Sequence, residues 1–341
     1  MSTAATPLPA FRIERSTRTS WIGLAGAAVA LAVLISLPWW GGEDDLRLIV
    51  EICYTIALAQ LWNLLAGYAG SVSVGQQAFV GIGGYALFAL TILAGVPPIP
   101  AVALAGAVAA ILAVPTALIV FRLRGAYFAI GTWVVAEVFS EVTGLLPDLG
   151  AGTGMSLPVA VSRAVGETRF ERETVLYYVG LAIGIGTVAA VFAWLRSRQG
   201  LALTAIRDSE TAAGSIGVNN DRTKYAVYLL AALVTGMLGA LIYLEKLRIS
   251  PDAGFDVIDW TADVIFIVVI GGIGSIEGPF IGALVFFGLR YFLADYGAWY
   301  MILLGAVAVV IMLLAPRGLW GLLADRYDIH FFPVRRRVRL E

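Results

Sequence analysis

An uncharged stretch of 70 consecutive residues, Ile52 to Phe121, constrains this chain more than any other feature of its sequence. A helix that crosses the hydrocarbon core of a bilayer needs only about 20 residues. The stretch is therefore long enough to cross a membrane more than once. Two groups of helix-breaking residues divide it, a Gly/Ser-rich segment from Gly67 to Gly75 and a Pro-rich segment from Gly95 to Pro100. Three helices are predicted in this stretch.

Other apolar runs extend the pattern to about ten membrane-spanning helices. The run from Ala126 to Leu146 carries only two charges, Glu137 and Glu141. The stretch from Asp263 to Arg290 is interrupted by Gly and Pro and predicts two shorter helices. The other spans are predicted at residues 21–40, 46–69, 76–93, 99–121, 174–195, 225–244 and 296–315. The predicted fold class is all-α: a polytopic helical membrane protein with Gly-rich broken segments.

The composition suits a chain whose surface faces lipid, and it excludes several classes of function. Hydrophobic residues make up 60% of the 341 residues and charged residues 14%, whereas soluble proteins carry about 25% charged residues. The single Cys, Cys53, and the single His, His330, cannot form a disulfide framework or a His/Cys metal site. A net charge of -1 provides no basic surface for nucleic acid. We therefore expect no metal site and no nucleic-acid partner.

The distribution of Lys and Arg predicts which side of the membrane each loop faces, because basic residues are retained on the cytoplasmic side. Of the 23 basic residues, 16 lie in four segments: the N-terminal arm, Arg122 with Arg124, the loop from Arg196 to Lys224, and the C-terminal tail. If the chain crosses the membrane ten times, all four segments lie on the same side of the membrane. Both termini are therefore predicted to be cytoplasmic.

This topology divides the chain into three parts. Residues 1–20 form a cytoplasmic N-terminal arm, residues 21–316 a transmembrane domain with a cytoplasmic loop at 196–224, and residues 317–341 a basic cytoplasmic tail. The first apolar run is longer than the apolar core of a signal peptide and lacks its small-x-small cleavage pattern. It is therefore predicted to be an uncleaved span.

Glycines and polar side chains coincide between Gly67 and Gln77. Gly67, Gly70 and Gly75 are expected to break the helix, and lipid cannot satisfy the backbone groups that a break exposes. Transporters use broken helices to present backbone groups to a solute. The alternative is a short cytoplasmic turn between two spans. The polar side chains that the segment would bring to a pathway are those of Ser71, Ser73, Gln76 and Gln77.

Two amides precede this segment on the same helix face, since Gln60 and Asn63 are three residues apart. Such amides usually tie one helix to another, and lining of a pathway is the alternative.

Glu137 and Glu141 are four residues apart and stack on one face of their predicted helix. An ionised carboxylate at the bilayer centre costs at least about 2.5 kcal/mol. A proton relay or an amine-binding site is one interpretation. In the other, Glu141 reaches outward to the interface while Glu137 hydrogen-bonds a neighbouring helix.

A second Gly-rich interruption contains Gly271, Gly272 and Gly274. Both Gly70-Ser71-Val72 and Gly274-Ser275-Ile276 are followed within a few residues by Phe-x-Gly. This hints at an internal repeat with two breaks in corresponding positions of two halves, which is typical of a transport site.

The loop from Arg196 to Lys224 is predicted to contain one amphipathic helix, from Gly200 to Asn219. Such a helix lies on lipid or docks in a groove of a partner protein. Asp208 and Glu210 flank Arg207, so the helix is not strongly cationic and docking is favoured. The apolar residues expected to dock are Leu203, Ile206, Ala213 and Ile216.

Four motifs follow one another along residues 46 to 318. They read Asn63-Leu-Leu-Ala-Gly67-Tyr-Ala-Gly70-x-x-Ser73-x-Gly75-x-x-Ala78-Phe79-x-x-Ile82-Gly83-x-Tyr85, Arg122-Leu-Arg124-Gly125-x-Tyr127-Phe128-Ala129-Ile130, Ala205-Ile206-Arg207-Asp208-x-Glu210-x-Ala212-Ala213-x-x-x-Gly217 and Gly271-Gly272-Ile273-Gly274-Ser275-x-x-Gly278-Pro279. Their order and spacing closely resemble the signature of branched-chain amino acid ABC transporter permeases, in particular of the LivM type.

The resemblance implies a non-catalytic, multi-pass permease subunit of an ATP-driven importer in the bacterial inner membrane. Its partners would be a second homologous permease of the LivH type, two ATP-binding subunits of the LivG and LivF type, and a periplasmic solute-binding protein. ATP and Mg would bind to the partner subunits, and this chain would bind no cofactor. Accordingly, its sequence contains no Gly-x-x-x-x-Gly-Lys-Ser/Thr phosphate loop.

The resemblance also assigns roles to residues. The segment that would meet the ATPase comprises Arg207, Asp208, Glu210, Ala212, Ala213 and Gly217. The candidates for the pathway come instead from the polar residues of the apolar and Gly-rich segments, and they are Gln60, Asn63, Ser71, Ser73, Gln76, Gln77, Tyr85 and Glu137. Gly75-Gln76 stands where related sequences often carry Gly-His or Gly-Tyr. The solute therefore stays open between branched-chain or hydrophobic amino acids and another small organic solute such as urea or a short amide.

Two other classes of function compete with this one. A proton-coupled secondary transporter would use Glu137 and Glu141 and would work without ATPases. A membrane-embedded enzyme would need a catalytic set, but the sequence shows no Ser/His/Asp constellation, no Cys nucleophile and no metal cluster.

Overall fold

A computed structural model describes residues 11–14, 18–293, 296, 298–315, 317–327, 331–332 and 337–340. Most of the predicted N-terminal arm and part of the predicted tail, including His330, lie outside the described residues. The α-helices in the described part of the chain are α1 (Arg18–Ser36), α2 (Glu43–Asn63), α3 (Gln76–Phe88), α4 (Pro98–Val120), α5 (Ala126–Gly144), α6 (Val159–Arg163), α7 (Arg169–Arg196), α8 (Arg198–Asp208), α9 (Glu210–Ser215), α10 (Asn220–Lys246), α11 (Pro251–Gly254), α12 (Asp263–Gly271), α13 (Gly278–Leu293), α14 (Ala298–Leu314) and α15 (Gly318–Tyr327).

Among the residues that the structure describes, six helical segments are long and apolar enough to cross a membrane. They are Glu43–Tyr68, Gln76–Leu93, Pro98–Val120, Arg169–Arg196, Asn220–Lys246 and Ile302–Ala324. A seventh is obtained if Ala126–Gly144 and Pro147–Thr153, which meet at a bend of 95°, count as one span. Two more apolar helices, Gly23–Trp39 and Gly278–Leu293, are shorter. The prediction of an all-α, polytopic membrane protein is confirmed.

The number of full-length spans is smaller than the ten that the apolar runs predict. Helices lie at the predicted positions, but several are too short to cross alone. Helix α12 directly continues a π-helical turn, Ile258–Ala262; the 5 and 9 residues together span only about 21 Å before Gly272, with a φ of 134°, ends the helix. A bilayer core is about 30 Å thick. Between Asp263 and Arg290 the chain therefore forms the two shorter helices predicted there, joined by a break.

Helix α3 lies at the centre of the fold, and every one of its residues is buried. It packs against α4, α5 and α10, while α2 packs against α7 and α12. A Cβ atom on Gly83 would overlap the carbonyl of Gly236, so small residues let α3 and α10 approach closely. Helix α3, which follows the Gly-rich segment, is therefore packed against other helices on several sides.

Four short strands complete the described structure: β1 (Phe11–Glu14), β2 (Met155–Ser156), β3 (Arg248–Ile249) and β4 (Arg337–Leu340). Strand β1 pairs antiparallel with β4, and β2 pairs with β3. The first pair brings the two ends of the chain together, so both lie on the same side of the fold. Their cytoplasmic orientation stays a prediction.

Candidate functional site

The first break in the helices spans residues 64–75. Helix α2 ends at Asn63 and continues as a π-helical turn, Leu64–Tyr68, before seven residues without regular structure lead to α3. Gly70 has a φ of 68°, a conformation that side chains with a Cβ rarely adopt. The end of this break is packed tightly, since a Cβ on Gly75 would overlap the carbonyl of Thr132 in α5.

The second break spans residues 272–277, between α12 and α13. Gly272 and Gly274 have φ angles of 134° and 78°. The Ser275 hydroxyl donates to the Gly272 carbonyl at 2.7 Å and accepts from the Gly278 N–H at 3.1 Å. Side-chain hydrogen bonds thus satisfy backbone groups that the helix no longer pairs, as burial requires.

The two breaks touch each other. A Cβ built on Gly67 would lie 2.6 Å from the backbone nitrogen of Gly274, so only a residue without a side chain fits there. Asn63 accepts from the Gly274 N–H at 2.8 Å and donates to the Ser275 carbonyl at 2.7 Å. Gln60 donates to the Ile276 carbonyl at 2.6 Å. The second Gly-Ser segment, Gly274-Ser275-Ile276, is therefore packed against Gly67 and the end of α2.

These contacts favour one of the two interpretations of the amides. Gln60 and Asn63 are fully buried, and both hydrogen-bond the backbone of the second break. Both amides therefore tie helices together in this conformation, while the Oε1 atom of Gln60 is buried without a partner, and the assignment of both residues to the pathway stays a prediction.

The predicted cytoplasmic loop reaches the same junction through Arg207. Helix α8 lies against the π-helical turn of the first break as well as against α7 and α10. Arg207 donates from Nη1 to the Gly67 carbonyl at 3.2 Å and forms an ion pair with Asp208 at 3.0 Å. A Cβ on Gly274 would lie 3.6 Å from the same Nη1 atom. The guanidinium therefore covers both breaks at their point of contact.

The single amphipathic helix predicted from Gly200 to Asn219 is wrong, because the loop contains two helices, α8 and α9. Ser209 between them is extended, and its hydroxyl accepts from the Ala212 N–H at 3.3 Å. Ser is a strong N-cap residue, so it ends one helix and starts the next.

The predicted docking face of this loop is also wrong. Leu203, Ile206 and Ala213 are 0%, 3% and 2% exposed because they pack inside this chain. Only Ile216 is free, with 78% of its surface exposed. Helical periodicity identifies an apolar face but does not show whether that face packs against the same chain or against a partner.

The outward surface of the loop includes Ile216 and residues outside the predicted face. We call it the α8–α9 surface, and its exposed members are Asp208, Thr211, Ala212, Ser215, Ile216 and Gly217. Glu210 instead holds the loop in place, since it forms an ion pair with Lys224 and its carbonyl accepts from Asn220 at 2.7 Å. Of the six residues assigned to the ATPase contact by resemblance, Asp208, Ala212 and Gly217 lie on this surface, and Arg207 is exposed beside it.

A small pocket opens beside the first break. Its volume is about 20 Å³, which is room for about one water molecule. Gln76 donates to the Leu58 carbonyl at 3.0 Å, while its Oε1 atom is buried without a partner. The pocket is lined by Leu61, Trp62, Leu65, Ser73, Gly75, Gln76, Phe79, Tyr228, Ala231 and Thr235.

The other pathway candidates lie apart from this pocket. Gln77 is fully buried and hydrogen-bonds the Val74 carbonyl and the Thr261 hydroxyl, so it stabilises the first break from its buried side. Ser71 is partly exposed. Tyr85 is buried farther along α3, with its ring stacked on Phe255 at 6.0 Å between centroids.

One interpretation expected Glu137 to hydrogen-bond a neighbouring helix, but among the described residues its partner lies on its own helix. Glu137 is exposed on the outer side of α5 and accepts from Trp133 Nε1, one turn away on the same helix, at 2.9 Å. Glu141 is exposed on the same side. In the described part of the chain, no three His, Cys, Asp or Glu side chains converge in a possible metal site.

Sequence reasoning does not identify Trp62, Thr132 and Thr235 as neighbours of the first break. Trp62 Nε1 donates to the Ser73 carbonyl at 2.8 Å, and the Thr132 hydroxyl accepts from the Val74 N–H at 3.0 Å. Isolated Thr and Trp residues in apolar helices are common, so their positions carry no signal before the fold is known.

Comparisons with known proteins agree with this architecture. Residues 46–315, well over half of the chain, match the family described as branched-chain amino acid transport system / permease component. The chain is 26% identical over 311 residues to the high-affinity branched-chain amino acid transport system permease protein LivM of Salmonella typhimurium, covering 85% of this chain and 73% of that protein. It is 27% identical over 314 residues to the Escherichia coli LivM, with the same coverage. No solved structure matches the chain. The chain therefore belongs to the family of branched-chain amino acid transport permease components.

Proposed function

We propose that this chain is a permease subunit of an ATP-driven ABC importer for branched-chain or other hydrophobic amino acids. Its proposed partners are a second homologous permease of the LivH type, two ATP-binding subunits of the LivG and LivF type, and a periplasmic solute-binding protein. ATP and Mg would bind to the ATP-binding subunits. Family membership supports the transport of amino acids, and the printed names of both LivM relatives point to the same solutes.

The observation that carries this proposal is the contact between the loop and the breaks. Arg207 of α8 hydrogen-bonds Gly67, and Gly67 packs on Gly274, so a displacement of α8 acts on both breaks at once. Nucleotide shifts a conformational equilibrium only if the nucleotide-bound partner contacts the two conformations differently. The exposed α8–α9 surface is where an ATP-binding subunit would make such a contact.

The pocket beside the first break suits a hydrophobic amino acid in its chemistry. Leu61, Leu65 and Phe79 provide an apolar wall, and Ser73 and Gln76 provide polar groups. At about 20 Å³ the pocket is far too small for such a solute, so we assign this conformation to a closed state. The unpaired Oε1 of Gln76 would accept from the solute once the pocket opens.

The test is reconstitution of this chain with its second permease and ATP-binding subunits in proteoliposomes. Uptake of leucine, isoleucine or valine should require ATP and the binding protein, and vanadate should abolish it. Uptake should survive a protonophore, since Glu137 and Glu141 have no role as a proton relay in this proposal. ATP-independent uptake that a protonophore abolishes would instead support the secondary transporter.

A further inference from the structure

The side of α5 that faces away from the fold carries a stripe of exposed residues. We call it the outer face of α5. Its members recur at helical spacing and are Ile130, Trp133, Val134, Glu137, Val138 and Glu141. Val134 and Val138 are each 53% exposed. The stripe is apolar except for its two carboxylates.

Packing on the opposite side fixes the orientation of this face. Phe128, Thr132 and Ala136 are buried, and α5 packs against α3. The hydrogen bond from the Val74 N–H to the Thr132 hydroxyl and the close fit of Gly75 lock α5 to the first break. Glu137 therefore cannot turn inward by rotation of the helix.

Glu137 lies more than half-way along α5, which forms a candidate membrane span together with Pro147–Thr153. Helix α5 has 19 residues, about 28 Å of length, and Glu137 is about 17 Å from its first residue. A carboxylate at this position in a span is unfavourable against hydrocarbon. Among the described residues, its hydrogen-bond partner is the neutral Trp133 indole, and no Lys or Arg forms an ion pair with it. Glu141 lies one turn closer to the helix end, from which it can reach the interface.

The outward face of α4 differs from this one. The exposed side chains of α4 include Leu104, Ile111, Val114, Leu118 and Ile119, all of which are apolar. Such a face is compatible with lipid, whereas the outer face of α5 is not. Contact with another protein would provide both an apolar surface for Val134 and Val138 and a hydrogen-bond donor for Glu137.

We infer that the outer face of α5 is the contact surface for the second permease subunit, which presents a hydrogen-bond donor or a cationic side chain opposite Glu137. This inference rests on the proposed function, because that function supplies a second helical subunit in the same membrane. The ATP-binding subunits and the binding protein lie outside the hydrocarbon layer and cannot cover a residue at this position in a span.

The first experiment places a photo-crosslinking amino acid at Val134 or Val138 in the purified, co-expressed complex. The matched control position is Ile111 on α4, which is 67% exposed. We expect Val134 and Val138 to form adducts that mass spectrometry identifies as the second permease, and Ile111 to form lipid adducts. Lipid adducts alone at Val134 and Val138, or permease adducts at Ile111, would overturn the inference. If the second permease does not co-purify at all, the proposed function fails instead.

The second experiment tests the role of the carboxylate. Glu137→Gln keeps the hydrogen-bonding capacity of the side chain, whereas Glu137→Leu removes it. The second permease should co-purify with the Glu137→Gln variant. With Glu137→Leu, the amount of co-purified second permease should fall about tenfold, because a hydrogen-bond donor of the partner would be left unpaired. Equal recovery with both variants would show that no partner donor meets Glu137. Labelling of a cysteine at Val138 by a water-soluble thiol reagent in the assembled complex, with Cys53 replaced, would show a water-filled space there and would also overturn the contact.

Discussion

Arg207 Nη1 lies 3.2 Å from the carbonyl oxygen of Gly67, although the two residues are 140 positions apart in the sequence. The first belongs to a loop helix outside the spans and the second to a π-helical turn inside one. A hydrogen bond from a charged donor is stronger than one between neutral groups. A charged hydrogen bond therefore joins the loop to the broken helix here, beside the packing of Arg207 against Gly70.

Arg207→Ala should reduce transport without releasing the ATP-binding subunits. The variant removes the contact with Gly67 but leaves the α8–α9 surface otherwise intact. Hydrogen bonds to charged groups contribute about 1.5–3 kcal/mol, so we expect ATP-driven uptake in proteoliposomes to fall about tenfold or more. The matched control is Arg222→Ala, because Arg222 is exposed at the start of α10. Equal uptake by both variants would mean that Arg207 does not couple the loop to the break.

Gly67→Ala should prevent the two breaks from packing together. The added methyl group would lie 2.6 Å from the Gly274 nitrogen, and backbone cannot move aside as a flexible side chain can. We expect a large loss of monodisperse protein in detergent. Gly186→Ala is the control, since a Cβ at Gly186 on α7 meets nothing within 4 Å. It should leave the protein equally stable or more stable by about 0.5–1 kcal/mol. Similar yields of both variants would disprove the close packing.

Asn63→Leu should lower the free energy of unfolding by about 2–5 kcal/mol. The Gly274 N–H and the Ser275 carbonyl would lose their side-chain partner, and each unsatisfied buried group costs about 1–3 kcal/mol. Thermal unfolding of the purified protein in detergent measures the effect. Gln199→Leu is the control at an exposed amide and should change stability by less than about 0.5 kcal/mol. A melting temperature for Asn63→Leu that equals that of Gln199→Leu would contradict the role of Asn63.

The sequence predicts the positions of both breaks well, because Gly and Ser in an apolar run interrupt helices wherever the chain folds. It does not predict that Gly67 and Gly274 meet, since that contact depends on how α2 and α12 pack. The residue types and spacing of Gln60 and Asn63 favour ties between helices but leave lining of a pathway as an alternative. Which backbone they bind follows only from the fold.

The loop shows a second limit of sequence patterns. Leu203, Ile206 and Ala213 form an apolar stripe that fits either an internal or an external partner, and burial in the chain itself decides between them. Ser209 is the local signal for the division into two helices, because a Ser hydroxyl competes for backbone N–H groups at a helix start. Helical periodicity across residues 203–216 obscures that signal.

Ile216→Glu should release the ATP-binding subunits without destabilising this chain. Ile216 is 78% exposed on the α8–α9 surface, so the substitution buries no charge in the isolated protein. Exposed apolar side chains at the centre of an interface typically contribute about 2 kcal/mol or more to binding, and a carboxylate would reverse that contribution. Co-purification of the ATP-binding subunits and solute-stimulated ATP hydrolysis measure the loss. Ala213→Glu is the informative comparison, because Ala213 is buried within this chain and its replacement should lower the melting temperature itself. If a folded Ile216→Glu variant still bound the ATP-binding subunits fully, these subunits would have to contact a surface other than the α8–α9 surface.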